Sequence, residues 1–282
     1  MRLPRARSAL GVALVGLVTA CGEAPDSDAR PRVAVSVVPL SFFVDRLAGD
    51  RVRTHVMIPP GANPATFEPS FAELRAVATA ALYVKVGHPS FVFETTRLEG
   101  LLAERPGLRI VDASAGFDVR AGDPHVWLAP DHARAFAVRL AAALEELRLA
   151  RPAELRTRLA TLLAEIDALD AEIRDLLAPK RGGRFLVHHP AWGYFAQAYG
   201  LEQVAIERDG KEPDARRVAE LVQQARQDGV RIVFAQPQFD TASARLIASE
   251  LGARVELLDP LAYDWTANLR HVARRIAEGA TP

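Results

Sequence analysis

The sequence predicts an α/β protein of two lobes, each a mostly parallel sheet flanked by helices, joined by one long spine helix. Three observations carry this. A chain of 282 residues with 49% hydrophobic content has room, and apolar mass, for about two domains of ordinary size. From Arg32 onward, short β-branched runs alternate with amphipathic helical stretches, the pattern of parallel sheets covered by helices. A long helical run then divides that alternation into two sets.

Residues 1–21 read as a targeting segment: Arg2, Arg5 and Arg7 precede an apolar run too short to span a membrane, and small residues follow. "VTAC", ending at Cys21, resembles a bacterial lipobox, which predicts cleavage and lipidation at that cysteine. Cys21 is the only cysteine, so a disulfide within the monomer is excluded. Residues 22–31, "GEAPDSDARP", read as a flexible tether.

The first lobe, residues 32–150, carries strands near "RVAVSVV", "VRTHVMI", "LYVKVG" and "LRIVDA". The spine falls in 151–179. Leucines, isoleucines and alanines recur there at three- and four-residue spacing, and Pro152 suits the first turn of a helix running to Leu177. About 25 residues at 1.5 Å each span about 38 Å, enough to pass both lobes. A strict heptad does not persist across Pro152, which argues against a coiled coil and for a monomer. The second lobe, residues 180–282, repeats the pattern with "RFLVHH", "EQVAIE", "RIVFAQ" and "RVELLD".

Charge narrows the function classes. Lys+Arg 35 balances Asp+Glu 35, and no basic run with interleaved aromatics occurs, so nucleic acid is not expected as a partner. Open parallel sheets bind ligands beyond the carboxyl ends of their strands, which directs attention to the residues just after each strand. His88 follows "LYVKV", His188 and His189 follow "RFLV", Asp259 follows "RVELL", and His125 lies in "DPHVWLAP". Three neutral imidazoles and a carboxylate make a borderline-soft tetrahedral site of the kind zinc accepts. A bland reading stands beside each: His125 is also suited to a core role, bonding a carbonyl, and His88 to lining a loop. His55 alternates with valines in a strand, and His132 and His271 sit on helices; these three read as structural or solvated.

"PPGANPATFEP", "DPHVWLAP", "HHPAWGYFAQAYGL", "IERDGKEPDARRVAELV" and "LLDPLAYDW" together resemble the metal-binding receptors of zinc and manganese ABC importers, the cluster A-I solute-binding proteins. The likeness runs in consistent order from about Arg32 to the end. It implies His125, from the D-P-H-x-W motif, His189, before A-x-G-Y-F, and Asp259, from the late D-P-L motif, as metal ligands. Successive strand residues point to opposite faces, so only one of His188 and His189 faces the cleft, and motif position selects His189. Most relatives place a histidine in the loop after the second strand; here Ala65 stands there and binds no metal. His88 is the expected substitute if the strands beginning at Arg53 and Leu82 are neighbours; Glu68, Glu207 or water are the alternatives. Pro190, where many relatives carry aspartate, is a further departure. The histidine- or acid-rich loop common in zinc receptors is absent.

The resemblance implies an extracytoplasmic, lipid-anchored receptor, not an enzyme, that captures a divalent cation between the lobes and delivers it to a membrane permease. Imidazole at His189 favours Zn²⁺ over Mn²⁺. Two rival readings remain: a zinc hydrolase with an open coordination position, for which no H-E-x-x-H or comparable signature is present, and an adhesin-like lipoprotein with an altered metal role.

Overall fold

The computed structural model describes residues 28–208 and 210–281. The leader, the lipidation expected at Cys21 and most of the tether lie outside the described residues. All eight anticipated strands form: β1 (Arg32–Val35), β2 (Arg53–Val56), β3 (Leu82–Lys85) and β4 (Arg109–Asp112) in the first sheet, then β5 (Arg184–Val187), β6 (Glu202–Ala205), β7 (Ile232–Ala235) and β8 (Arg254–Leu257) in the second. Every pairing is parallel, and the strand orders are β2-β1-β3-β4 and β6-β5-β7-β8. Both lobes therefore share one topology.

That order corrects one expectation. β1 lies between β2 and β3, so the strands beginning at Arg53 and Leu82 are not neighbours. The reason is burial: a central parallel strand is covered on both faces, and Val33, Ala34 and Val35 are fully buried, whereas every residue of β2 is only half-buried, as befits an edge.

The connections are α1 (Val38–Ala48), α2 (Phe71–Ala78), α3 (Glu99–Ala103), α4 (Pro130–Glu146), α5 (Pro152–Leu177), α6 (Gly193–Tyr199), α7 (Ala215–Gln227), α8 (Ala242–Leu251) and α9 (Trp265–Gly279). Local chemistry sets their starts. Ser70 and Glu73 form a reciprocal capping box on α2, Asp214 and Asp264 accept from the first turns of α7 and α9, and α4 and α5 open on prolines whose missing N–H costs nothing there.

The spine α5 is one continuous helix of 26 residues. Its buried stripe is Leu155, Leu162, Ile166, Leu169, Ile173 and Leu177, each worth about 1.5–3 kcal/mol of apolar burial. It packs against α1 and α4 of the first lobe and α9 of the second. Ion pairs to Arg46 on α1 and Arg270 on α9, both at 2.7 Å, fasten it at two further levels. One apolar core runs from the first sheet across α5 to the near face of the second sheet. A smaller core, with Leu221, Val233 and Ile247, lies under α7 and α8 on the far face. Two indoles stitch the lobes together: Trp127 Nε1 donates to Pro260 O at 2.8 Å, and Trp265 Nε1 donates to Trp127 O at 2.6 Å.

A buried polar knot closes the carboxyl end of the first sheet. Glu94, in a π-helical turn at Phe93–Arg97, accepts from Val86 N at 2.6 Å, Gly87 N at 2.8 Å and the Ser36 hydroxyl, which also meets Tyr83 at 2.6 Å. Burial pushes the Glu94 carboxyl up to about 7, against the opposing pull of these donors. Among the described residues, no helix is long and apolar enough to cross a membrane.

Candidate metal centre

The carboxyl ends of the two sheets open onto one cavity of about 160 Å³. Its wall draws on the loop after β2 (Pro64, Ala65), after β3 (Phe91), after β4 (His125), after β5 (His189) and after β7 (Phe239). This is where open parallel sheets place their ligands.

His125 is held by its own tripeptide. In "DPH" the Asp123 carboxylate turns back, Oδ1 accepting from His125 N at 3.1 Å and from His125 Nδ1 at 2.9 Å. Asp and Pro in sequence favour this kind of local turn, because the carboxylate reaches the amide two residues on. Asp123 is 8% exposed, and its second oxygen approaches the start of α6. A Cβ on Gly193 would lie 2.3 Å from that oxygen, so the glycine of "HHPAWGYF" is what lets the carboxylate in.

His189 is held from a different strand. Its Nδ1 meets Glu207 Oε2 at 2.9 Å, and its ring stacks on Phe239 at 4.6 Å and 21°. Burial opposes charge on Glu207, but the His189 hydrogen bond and the neighbouring histidines outweigh it and keep the carboxyl below its ordinary range. A carboxylate oxygen accepts, so each imidazole donates from Nδ1, and Nε2 is the nitrogen not engaged by the carboxylate. Burial also lowers the pKa of His125, despite Asp123, so the ring is neutral, as a metal ligand must be.

The two rings meet edge to face across the lobes, with centres 5.4 Å apart and planes at 77°. That spacing has chemical content. With Zn–N bonds of about 2.0–2.1 Å, about 1.1 Å from nitrogen to ring centre and an angle of about 109°, two imidazoles on one zinc have centres about 5.2 Å apart.

The other expected residues are placed less uniformly. Asp259 stands one residue beyond the cavity wall, which Pro260 and Leu261 line. Its Oδ1 accepts from Gln238 Nε2 at 2.7 Å and Leu261 N at 2.8 Å, a second Asp-Pro turn like that at Asp123. Among the described residues no three His, Cys, Asp or Glu side chains are grouped tightly enough to hold a metal as they stand. Two of the expected residues, His125 and His189, meet, and the Asp259 carboxylate is bonded to Gln238.

His88 is a correction. Its strand is not beside β2, it is 1% exposed, and both ring nitrogens are used: Nδ1 accepts from Ser90 N at 3.0 Å and Nε2 donates to Arg120 O at 2.9 Å. It fastens the loop after β3 to the loop after β4 and does not line the cavity. Glu68 is no donor either; it is largely exposed and paired with Arg97 at 2.5 Å. Glu207 is the partner of His189. Ala65 does line the cavity, its backbone N–H held by Asn63 Oδ1 at 2.9 Å.

His188 turns away from the cavity to Glu212 at 3.0 Å, as strand alternation requires. His271 is exposed and His55 half-buried on β2. His132 packs its ring on Phe117 at 3.8 Å. Sequence reasoning missed Asp123, Gln238 and Phe239 as parts of the site. Only Asp123 had a local signal, its position two residues before His125.

The chain is similar to several known proteins. The family model described as zinc-uptake complex component A, periplasmic, matches residues 33–279. The high-affinity zinc uptake system protein ZnuA of Bacillus subtilis (strain 168) is 25% identical over 273 residues, covering 87% of this chain and 85% of that one. The zinc-binding lipoprotein AdcA of Streptococcus pneumoniae serotype 4 is 23% identical over 265 residues, covering 86% of this chain and 52% of that one. The chain thus spans about half the length of AdcA-type relatives. A crystal structure of ZnuA superposes with a TM-score of 0.82 at 37% identity, covering 89% of this chain and 99% of that chain.

Proposed function

The chain belongs to the zinc-uptake complex component A family, and from that premise we propose that it is the extracytoplasmic receptor of a zinc ABC importer, a binding module and not an enzyme. It takes Zn²⁺ as cargo between its lobes and hands it to a membrane permease. The observation that carries this is the pair of imidazoles from opposite lobes, each with Nδ1 on a carboxylate and their centres at the spacing one zinc requires.

His125 Nε2, His189 Nε2 and Asp259 are the proposed donors. Asp259 joins them by exchanging the Gln238 amide for the ion, which keeps one oxygen on the Leu261 N–H. Two imidazoles and one carboxylate suit zinc better than Mn²⁺. The contacts of both Nδ1 atoms with carboxylates orient the rings before the ion arrives, and such partners raise the ligands' basicity. The expectations of a lipid anchor at Cys21 and of a monomer belong to this proposal. They rest on the lipobox-like "VTAC" and on the spine's burial within one chain.

Calorimetric titration of Zn²⁺ and Mn²⁺ into chelator-stripped protein tests the reading. Zinc binds one-to-one and more tightly than manganese, and His189→Ala or Asp259→Ala weakens zinc strongly while leaving the circular dichroism unchanged. Parent-like zinc binding by both variants sinks the ligand assignment, and turnover of an ester or peptide panel by the zinc-loaded protein would favour the hydrolase instead.

A further inference from the structure

Two imidazoles and one carboxylate leave a four-coordinate zinc one donor short. Ala65 stands on the cavity wall and cannot supply it. Besides the indole of Trp127, which only donates, the other polar side chains on that wall are Asn63, Ser90, Gln236 and Gln238. Asn63 Oδ1 already accepts from Ala65 N at 2.9 Å, and Ser90 is exposed to solvent. The two glutamines differ, because Gln236 Oε1 and Gln238 Oε1 are both buried without a hydrogen-bond partner. Buried carbonyl oxygens are nearly always paired, so an orphan in a residue that lines a binding cavity points to a ligand that arrives there.

Gln236 is the better placed of the two. It follows β7 directly, is 2% exposed, and its Nε2 reaches the backbone oxygen of His189 at 3.5 Å. Its amide therefore lies beside a proposed ligand, with its oxygen engaged by nothing. The Gln238 amide is instead tied to Asp259 at 2.7 Å and must be displaced before that carboxylate can meet the ion.

A neutral donor also suits the cavity between cargoes. Among the described residues no Lys or Arg lines it, and Asp123 and Glu207 already stand behind the two rings. A further carboxylate at position 236 would be buried with no cation to balance it whenever the ion is away. A carboxamide oxygen waits uncharged, at the smaller cost of one unpaired acceptor.

Resting on the zinc reading above, we propose that Gln236 is the fourth zinc ligand, through Oε1, in place of the side-chain donor that Ala65 lacks. The donor set is then two imidazole nitrogens and two oxygens. Carbonyl oxygen is a harder donor than imidazole, so this site separates zinc from Mn²⁺ less sharply than one with a third imidazole.

Zinc is first titrated into stripped full-length protein; absence of binding overturns the zinc reading and this inference together. Gln236→Leu keeps most of the side chain's bulk and removes the donor. It should weaken zinc at least about ten-fold, the loss that removing even an outer partner of a ligand causes. The thermal midpoint of the metal-free variant should hold, because His189 O keeps its bond from Ala191 N at 2.9 Å. The Co²⁺-loaded forms read the coordination itself. In the parent, four protein ligands close the site and azide leaves the visible spectrum unchanged; in Gln236→Leu one position opens and azide shifts the bands, which loss of a merely structural glutamine would not bring about. Zinc binding by Gln236→Leu within about two-fold of the parent overturns the inference and leaves the zinc reading standing. An azide-sensitive parent, or azide sensitivity gained by Gln238→Leu and not by Gln236→Leu, does the same. Should Gln236→Leu fail to fold, a crystal structure of the zinc-loaded parent decides: Gln236 Oε1 is expected about 2.0–2.2 Å from the ion, and a water in its place overturns the assignment.

Discussion

Replacing Glu207 by glutamine tests whether the carboxylates behind the histidines belong to the metal centre. Glu207 Oε2 sits 2.9 Å from His189 Nδ1, and its side chain is only 6% exposed, so solvent screens little of the interaction. Glutamine keeps the shape and an accepting oxygen but loses the charge, leaving a hydrogen bond about half as strong. The imidazole becomes less basic, and its tautomer is no longer dictated, because the amide can also donate to Nδ1. Removing such an outer partner costs about 10–100-fold in metal affinity, or about 1.4–2.7 kcal/mol. The assay is competition for zinc against a calibrated chelator, with the thermal midpoint of the metal-free protein as a fold control. Glu68→Gln, at the exposed pair with Arg97, serves as the neutral comparison. If Glu207→Gln binds zinc within about two-fold of the parent at an unchanged midpoint, the carboxylate is a structural counter-charge and the argument from tautomer control is wrong.

Four further outcomes are expected. Gly193→Ala pushes the Asp123 carboxylate off the start of α6 and unseats His125, lowering zinc affinity about ten-fold in the same assay, with little change in α-helix content. Ala65→His adds an imidazole donor to the cavity wall and tightens zinc about ten-fold or more by calorimetry; no gain would mean that the loop after β2 does not reach the ion. Glu94 has a folded pKa near 7 against an ordinary 4.5, so its stabilising contribution is complete below pH 4.5 and is lost as pH rises through 7. Urea midpoints should register a decline of up to about 3 kcal/mol over that window, flattened in Glu94→Gln. Solution scattering with and without zinc should change the radius of gyration by less than about 1 Å, because α5 and the two indoles tie the lobes; a large compaction contradicts this.

Much of the architecture was legible because it is written in local chemistry. β-branched runs, the helical spacing of leucines and Pro152 at a first turn each act over a few residues. The strands and the spine from Pro152 to Leu177 accordingly formed where the pattern put them. Strand alternation put only one of His188 and His189 toward the cleft, the motif picked His189, and Asp123 was within reach because its bond to His125 spans two residues. Strand order is different, since it depends on which strand buries both faces. Burial put β1 at the centre of its sheet and removed His88 from the cleft. The link between Glu207 and His189 spans 18 residues, that between Gln238 and Asp259 spans 21, and the pairing of His125 with His189 joins two lobes. Local patterns along the chain signal none of these distances; only packing both sheets against one helix brings those side chains to a common cavity.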